Sequence, residues 1–335
     1  MKGCELYGHD SGVRFMLKIS PLTCVSEFRR ICSSILLLAC AGPVYADIVF
    51  DGRLSKGDFS QYWVVEANGH APVGHLAPSG IPNRIQKHPD PAGSSESVML
   101  ATRFLTDQPT NGGVRSEISA PKDPMGSERW YSWGYYLPAM WKNVNDSNII
   151  AQIHDTADKG ESGMRRPTLA VAVKDDRVSL INVFDYDRIT SPSATVPVLH
   201  VDYERRELAS WPLETERWVD LDLHVKWAGD NTGFLEFWKD GVLLFQERNH
   251  INTFNDEGGL WFKGGIYGTP SAQWPSMSTY LTGVKIGDEK ETFRTMSLSV
   301  VPEPSSYFMM IIGLMGISFS CYLRRSGSVN NSRER

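Results

Sequence analysis

Eleven short stretches that alternate or run apolar, each bounded by turn residues, restrict this chain to an all-β fold. They are SVMLATRF, VRSEIS, RWYSWGYYL, NIIAQIH, TLAVAV, VSLINVF, WVDLDLHVKW, GFLEFW, VLLFQE, LWFKGGIYG and LTGVKIG. No segment between them carries a helical period, a repeat or a low-complexity tract. The clearest hairpin is FLEFWKDGVLLFQE, with Asp240-Gly241 at its turn. Two segments, Gly74 to Ser95 and Ser191 to Pro212, read as long loops, the second containing DYERRE. So many strands predict two large antiparallel sheets packed face to face, a concanavalin-like β-jelly roll.

The five cysteines fall outside this strand-rich part, at Cys4, Cys24, Cys32, Cys40 and Cys321. Residues 47–300 therefore contain neither a disulfide nor a cysteine metal site, and a single core must hold them together. The whole chain has a formal charge of -5, and the middle is more acidic than the ends. That balance excludes nucleic acid as a partner and requires a local cation cluster for any anionic polymer.

The ends read as targeting segments. Arg29 and Arg30, the apolar run ICSSILLLACAG and the cleavage site Val44-Tyr45-Ala46 predict a secretory signal over residues 1–46, cut after Ala46. Met16 is an alternative start, and Leu37-Leu38-Ala39-Cys40 weakly matches a lipoprotein box. At the other end, residues 301–335 hold VPEPSS, an apolar run at 307–323 and Arg324-Arg325. That run is just long enough to be expected to span a bilayer, with the arginines inside.

Three strands carry polar side chains of particular types on one face. A period of two places Trp261, Lys263, Gly265 and Tyr267 on one side of LWFKGGIYG, with Phe262, Gly264 and Ile266 on the other. Gly265 leaves either a gap for a ligand or a bulge. In NIIAQIH, Asn148, Ile150, Gln152 and His154 form one row; in VRSEIS, Arg115 and Glu117 alternate with Val114, Ser116 and Ile118. Each pattern alone also fits a solvated sheet face, an ion pair or a snorkelling lysine. Glu117 is suited to holding Arg115 in place.

Together, Arg115-Ser116-Glu117, Gln152-Ile153-His154 and Trp261 to Tyr267 resemble the R-[ST]-E, Q-[IV]-H and Y-F-K-x-G-x-Y strands of jelly-roll alginate lyases. With ERWYSWGYYLP and GFLEFWKDGVLLF, the stretch from Phe50 to Ile286 is most similar to the heparin lyase I-like polysaccharide lyases, related to glucuronan lyases. The tail is similar to the PEP-CTERM sorting signal through Pro302, Glu303 and Pro304. It implies a bacterial cell-envelope or matrix protein, transiently anchored in the membrane and handled by an exosortase, in a cell that makes an exopolysaccharide. Two departures matter: Trp261 stands where the motif has tyrosine, and Thr269-Pro270 follows Tyr267 where alginate lyases continue Asn-Gln. The second argues against alginate as the substrate.

The resemblance implies β-elimination on an anionic, uronic-acid-containing polysaccharide. Arg115 and Gln152 would neutralise the sugar carboxylate. His154 or Tyr267 would take the C5 proton, and Tyr267 would protonate the leaving oxygen. Lys263 completes the set, with Glu117, Asn148, Trp261 and His70 expected to contact substrate. His75 lies in the same loop region as His70. Trp141, Trp211 and Trp274, near prolines or loop signals, are candidates for stacking on sugars. No cofactor is required; calcium occurs in some heparin lyases, and the carboxylates here show no spacing that defines a site. A laminarinase-type hydrolase is disfavoured, because no glutamate is followed two positions later by aspartate. The remaining alternative is a non-catalytic polysaccharide-binding sandwich of the extracellular matrix.

Overall fold

The computed structural model describes residues 46–298, except 70–83, 143, 160, 162–165, 188 and 191–202. His70, His75 and both targeting segments lie outside the described residues. Among the described residues, no helix is long and apolar enough to cross a membrane.

The strands in chain order are β1 (Ile48–Asp51), β2 (Val64–Ala67), β3 (Ile85–Pro89), β4 (Ser97–Phe104), β5 (Val114–Ser119), β6 (Glu128–Tyr136), β7 (Asn148–Asp155) and β8 (Leu169–Lys174). There follow β9 (Arg177–Phe184), β10 (Glu204–Pro212), β11 (Trp218–Lys226), β12 (Phe234–Lys239), β13 (Val242–Arg248), β14 (Leu260–Gly268) and β15 (Ser276–Gly287), then a short helix α1 (Phe293–Met296). They build two antiparallel sheets. One has eight strands in the order β13-β12-β11-β6-β15-β4-β3, with β1 pairing beside β4 on β15. The other has seven, in the order β10-β9-β8-β7-β14-β5-β2. This is the expected jelly-roll sandwich.

All eleven expected strands are present. Four more, β1, β2, β3 and β10, were not expected, and β3 and β10 occupy parts of the two segments read as loops. The four share one property: each pairs with a single neighbouring strand, β2, β3 and β10 at the rim of a sheet and β1 on β15. Of these, β3 and β10 are exposed or half-buried over most of their length, so their apolar alternation is weak, as in IQKHP and ERRELASWP, whereas β2 is buried but only four residues long. The strand β13 is also a rim strand, but its Asp-Gly turn made it legible.

The core lies between the sheets. Tyr131, Trp133 and Tyr135 of β6, and Leu221, Leu223 and Val225 of β11, pack toward Ile118, Ile153, Val171 and Phe262 of the other sheet. Trp133 and Phe262 meet edge-on with ring centroids 5.2 Å apart, which ties the eight-stranded sheet to the strand bearing LWFKGGIYG. Of the three tryptophans read as candidates for stacking on sugars, two belong to this core instead. Trp141 is fully buried and donates to the Ser278 carbonyl at 2.7 Å. Trp211 is buried and donates to the Tyr135 hydroxyl at 3.0 Å, and Trp274 packs against the cluster from its edge. Nearby prolines misled the sequence reading, since burial of an indole depends on what lies opposite.

Candidate active site

The site is built on the outer face of the seven-stranded sheet by four neighbouring strands, β7, β14, β5 and β2. On β14, Phe262 and Ile266 enter the core, while Lys263 and Tyr267 project outward beside Trp261. The alternation in the sequence therefore assigns this strand correctly. Gly265 marks a bulge. Against β7, Gly264 pairs with Ala151 and Tyr267 with Ile149, so three steps on β14 match two on β7. Its φ is 148°, and a Cβ there would sit 2.0 Å from the Ser116 carbonyl oxygen, so only glycine fits.

A second bulge corrects the reading of β7. Along β8, Ile149 pairs with Ala172 and Ala151 with Val171, which leaves Ile150 as the extra residue. Ile150 packs in the core, and the alternation reverses at that point. Gln152 and His154 stay on the outer face. Asn148 does not; it faces between the sheets, wholly buried, and accepts a hydrogen bond of 2.8 Å from the Arg103 guanidinium. Asn148 is thus a core partner of Arg103, without a place beside Gln152.

Four ionic side chains, each almost wholly buried, meet on the outer face. Arg115 reaches Glu117 at 3.1 Å and Glu66 at 3.7 Å. Lys263 pairs with Glu66 and lies 3.4 Å from Glu117. Gln152 donates its amide to Glu117 at 2.6 Å, and Arg115 also donates to the Asn111 carbonyl at 2.9 Å. Two cations and two carboxylates balance, which is the condition for charges to persist at this depth. Burial acts to raise the Glu66 carboxyl, but Lys263, Arg115 and the Asn111 amide outweigh it and hold it below the usual carboxylate range. Among the described residues, the buried Nε of Arg115 has no hydrogen-bond partner. Gln152 also keeps a second amide N–H.

Tyr267 and His154 flank this cluster from opposite ends. Tyr267 stands in register with Arg115, whose guanidinium carbon lies 4.2 Å from the centre of its ring. The ring fills the space over Gly113, where a Cβ would come within 2.2 Å of it. The phenol makes no hydrogen bond among the described residues, and the side chain is only partly buried. His154 is in register with Trp261 and stacks on its indole at 5.3 Å. Its Nδ1 lies 2.9 Å from the Asp155 carbonyl, which can only accept, so Nδ1 carries the hydrogen and a neutral ring leaves Nε2 as its basic atom.

Sequence reasoning missed Glu66, the second carboxylate of the cluster. The signal existed in WVVEA, where Val65 points into the core and Glu66 must point out, but the run is too short to stand out as a strand. Trp63 and Lys122, at the His154 end of the face, were missed as well. Among the described residues, no group of three or more His, Cys, Asp or Glu side chains could hold a metal ion.

Such a face can receive a carboxylate on a guanidinium edge and an amide, beside a phenol able to exchange protons. A family model described as polysaccharide lyase matches residues 54–291. No curated protein sequence matches the chain. Among solved structures, the endo-β-1,4-glucuronan lyase of Trichoderma reesei aligns with a TM-score of 0.58 at 19% identity, over 76% of this chain and 100% of that one. At that identity the likeness shows a common fold. Alginate lyases of Pseudomonas aeruginosa and a Corynebacterium species align with TM-scores of 0.46 and 0.43, at 12% identity each. They cover 68% and 70% of this chain and 99% and 97% of theirs. With its two-sheet sandwich and a family match across nearly all of it, the chain belongs to the polysaccharide lyase family.

Proposed function

We propose that this domain cleaves a glucuronan-like or heparin-like polymer by β-elimination, and that Tyr267 is its essential proton-transfer group. The observation that carries the reading is the meeting of Arg115, Gln152, Lys263 and Tyr267, from three separate segments of the chain, on one sheet face. The sugar carboxylate is met by the Gln152 amide and the Arg115 guanidinium, so that the charge developing at C5 is faced by fixed donors. Glu117 and Glu66 hold those donors in place. Tyr267, as phenolate, takes the C5 proton; the electron pair forms the C4–C5 double bond, and the C4–oxygen bond breaks. Tyr267 passes that proton to the leaving oxygen, and one new chain end carries an unsaturated uronate.

Stereochemistry favours glucuronate. In that sugar the C5 proton and the C4 oxygen lie on the same side of the ring, so one phenol serves both steps. In iduronate or guluronate they lie on opposite sides, and two groups are needed. The sheet register sets His154 and Tyr267 at opposite ends of the ionic cluster, which supports the single-phenol route. The fold likeness to a glucuronan lyase supports the same choice. Export to the cell envelope, sorting through the PEP-CTERM-like tail and membrane contact belong to this proposal and rest on the terminal sequences alone.

The test is to mix the purified protein with glucuronan, heparin and alginate and follow the ultraviolet absorbance of the unsaturated product. A rise with glucuronan is expected. A rise only with polymers of the C5-epimeric sugars would replace the single-phenol route with a His154–Tyr267 pair. No rise with any uronic-acid polymer would overturn the proposal.

A further inference from the structure

The ionic cluster is electrically balanced, so it offers little net attraction to a polyanion. A cation without a carboxylate partner stands at the His154 end of the same face. Lys122 follows β5, and its ammonium lies 5.2 Å from the ring centres of both Trp63 and Trp261. The two indoles meet edge to face at 6.0 Å. The ammonium donates one hydrogen bond, of 2.7 Å, to the Thr156 hydroxyl. Among the described residues, no carboxylate pairs with it. Its side chain is exposed, yet contact with the indoles removes enough water to lower its pKa below the ordinary lysine value. On an acidic domain, an unpaired ammonium held between two indole faces is a site that waits for a carboxylate.

We propose that Lys122, Trp63 and Trp261 form a subsite for a second acidic sugar, further along the polymer from the reacting unit. The inference rests on the lyase reading above and adds to it a means of selecting acidic polymers. The ammonium takes the second sugar's carboxylate through its free N–H groups. The C–H face of that sugar lies on the indole surface, in the manner of other apolar ring faces on tryptophan. His154, stacked on Trp261, sets the tilt of that indole. A neutral sugar gains only the indole contact. The subsite thus selects for charge at a position where no bond is broken.

The experiment measures binding of glucuronic-acid hexamers and of their carboxyl-reduced, neutral counterparts by calorimetry, using full-length Tyr267→Phe to prevent turnover. Adding Lys122→Met, which keeps the stem across the indoles, is expected to weaken the acidic hexamer about tenfold and to flatten its salt dependence. The neutral hexamer should be unaffected. Lys122→Arg should restore most of the loss, and Trp63→Ala should weaken both hexamers. Unchanged melting temperatures guard against misfolding. If Lys122→Met binds the acidic hexamer with full affinity and full salt dependence, the subsite is wrong while the lyase reading stands. If the unsubstituted protein neither binds nor cleaves any uronic-acid polymer, the lyase reading fails and the subsite fails with it.

Discussion

Glu66 and Glu117 stand directly opposite each other on β2 and β5, both buried and both on the outer face. Like charges so placed repel, and the arrangement persists because Lys263 and Arg115 are shared between them. The cations are thereby held on the face where an acidic sugar would lie. The two carboxylates hold both cations in place.

Removing one cation should expose that dependence. Lys263→Met leaves two buried carboxylates with a single guanidinium, and a loss of about 3–5 kcal/mol is expected from urea unfolding at neutral pH. Lys263→Arg should lose less. Equal stability of the Met variant and the unsubstituted protein would show that the ion pairs contribute nothing.

The same cluster sets an acid limit. The Glu66 carboxyl is held low in the fold, so its contribution is present above the unfolded value near 4.5 and is lost as pH falls through the lower folded value. Glu66→Gln should therefore flatten the decline in melting temperature between pH 5 and acid conditions. An undiminished slope in that variant would mean other carboxylates govern acid unfolding.

Tyr267→Phe deletes a hydroxyl that makes no hydrogen bond among the described residues, so the fold should be kept. Elimination should fall by roughly 10²–10⁴. His154→Ala should lower kcat on glucuronan less than Tyr267→Phe does. Product absorbance under saturating substrate measures both, and a wild-type rate in the phenylalanine variant would remove the tyrosine from the mechanism.

Gly265→Ala should not be tolerated. Its Cβ would strike the Ser116 carbonyl at 2.0 Å, and a φ of 148° is closed to alanine. A destabilisation of at least ~3 kcal/mol, or loss of soluble protein, is expected. Near-native stability would mean that the bulge can be rebuilt.

Away from the site, Asp222 offers a test of opposite sign. Burial pushes its carboxyl up to about 6, while the Ser297 hydroxyl donates to it at 2.7 Å. A raised carboxyl stabilises the fold most below the unfolded value of 3.8 and loses that contribution as pH rises through about 6. At pH 7 the ionised group costs on the order of 2–3 kcal/mol. Asp222→Asn should therefore raise the melting temperature at pH 7 and change little near pH 4. A lower melting temperature at pH 7 would show the carboxylate to be stabilising.

Much of this was legible before any coordinates. Strict alternation in LWFKGGIYG and VRSEIS assigned Phe262, Ile266 and Ile118 to the core and Lys263, Tyr267, Arg115 and Glu117 to the opposite face, because a strand presents successive side chains to opposite sides. Alternation is a local property and survives translation into structure wherever the strand stays regular. Three matters were not local. The bulge at Ile150 turned Asn148 into the core, since an extra residue is defined only against the partner strand. The β2 strand escaped notice because only its pairing with β5 makes so short a run a strand, and with β2 went Glu66. The pairing order β7-β14-β5-β2 brought segments distant in sequence side by side, and that order decided which charges would be neighbours. The sequence determined the faces of the strands that stay regular; tertiary pairing decided the bulges and the neighbours, because hydrogen-bonded register is a relation between strands that no single strand encodes.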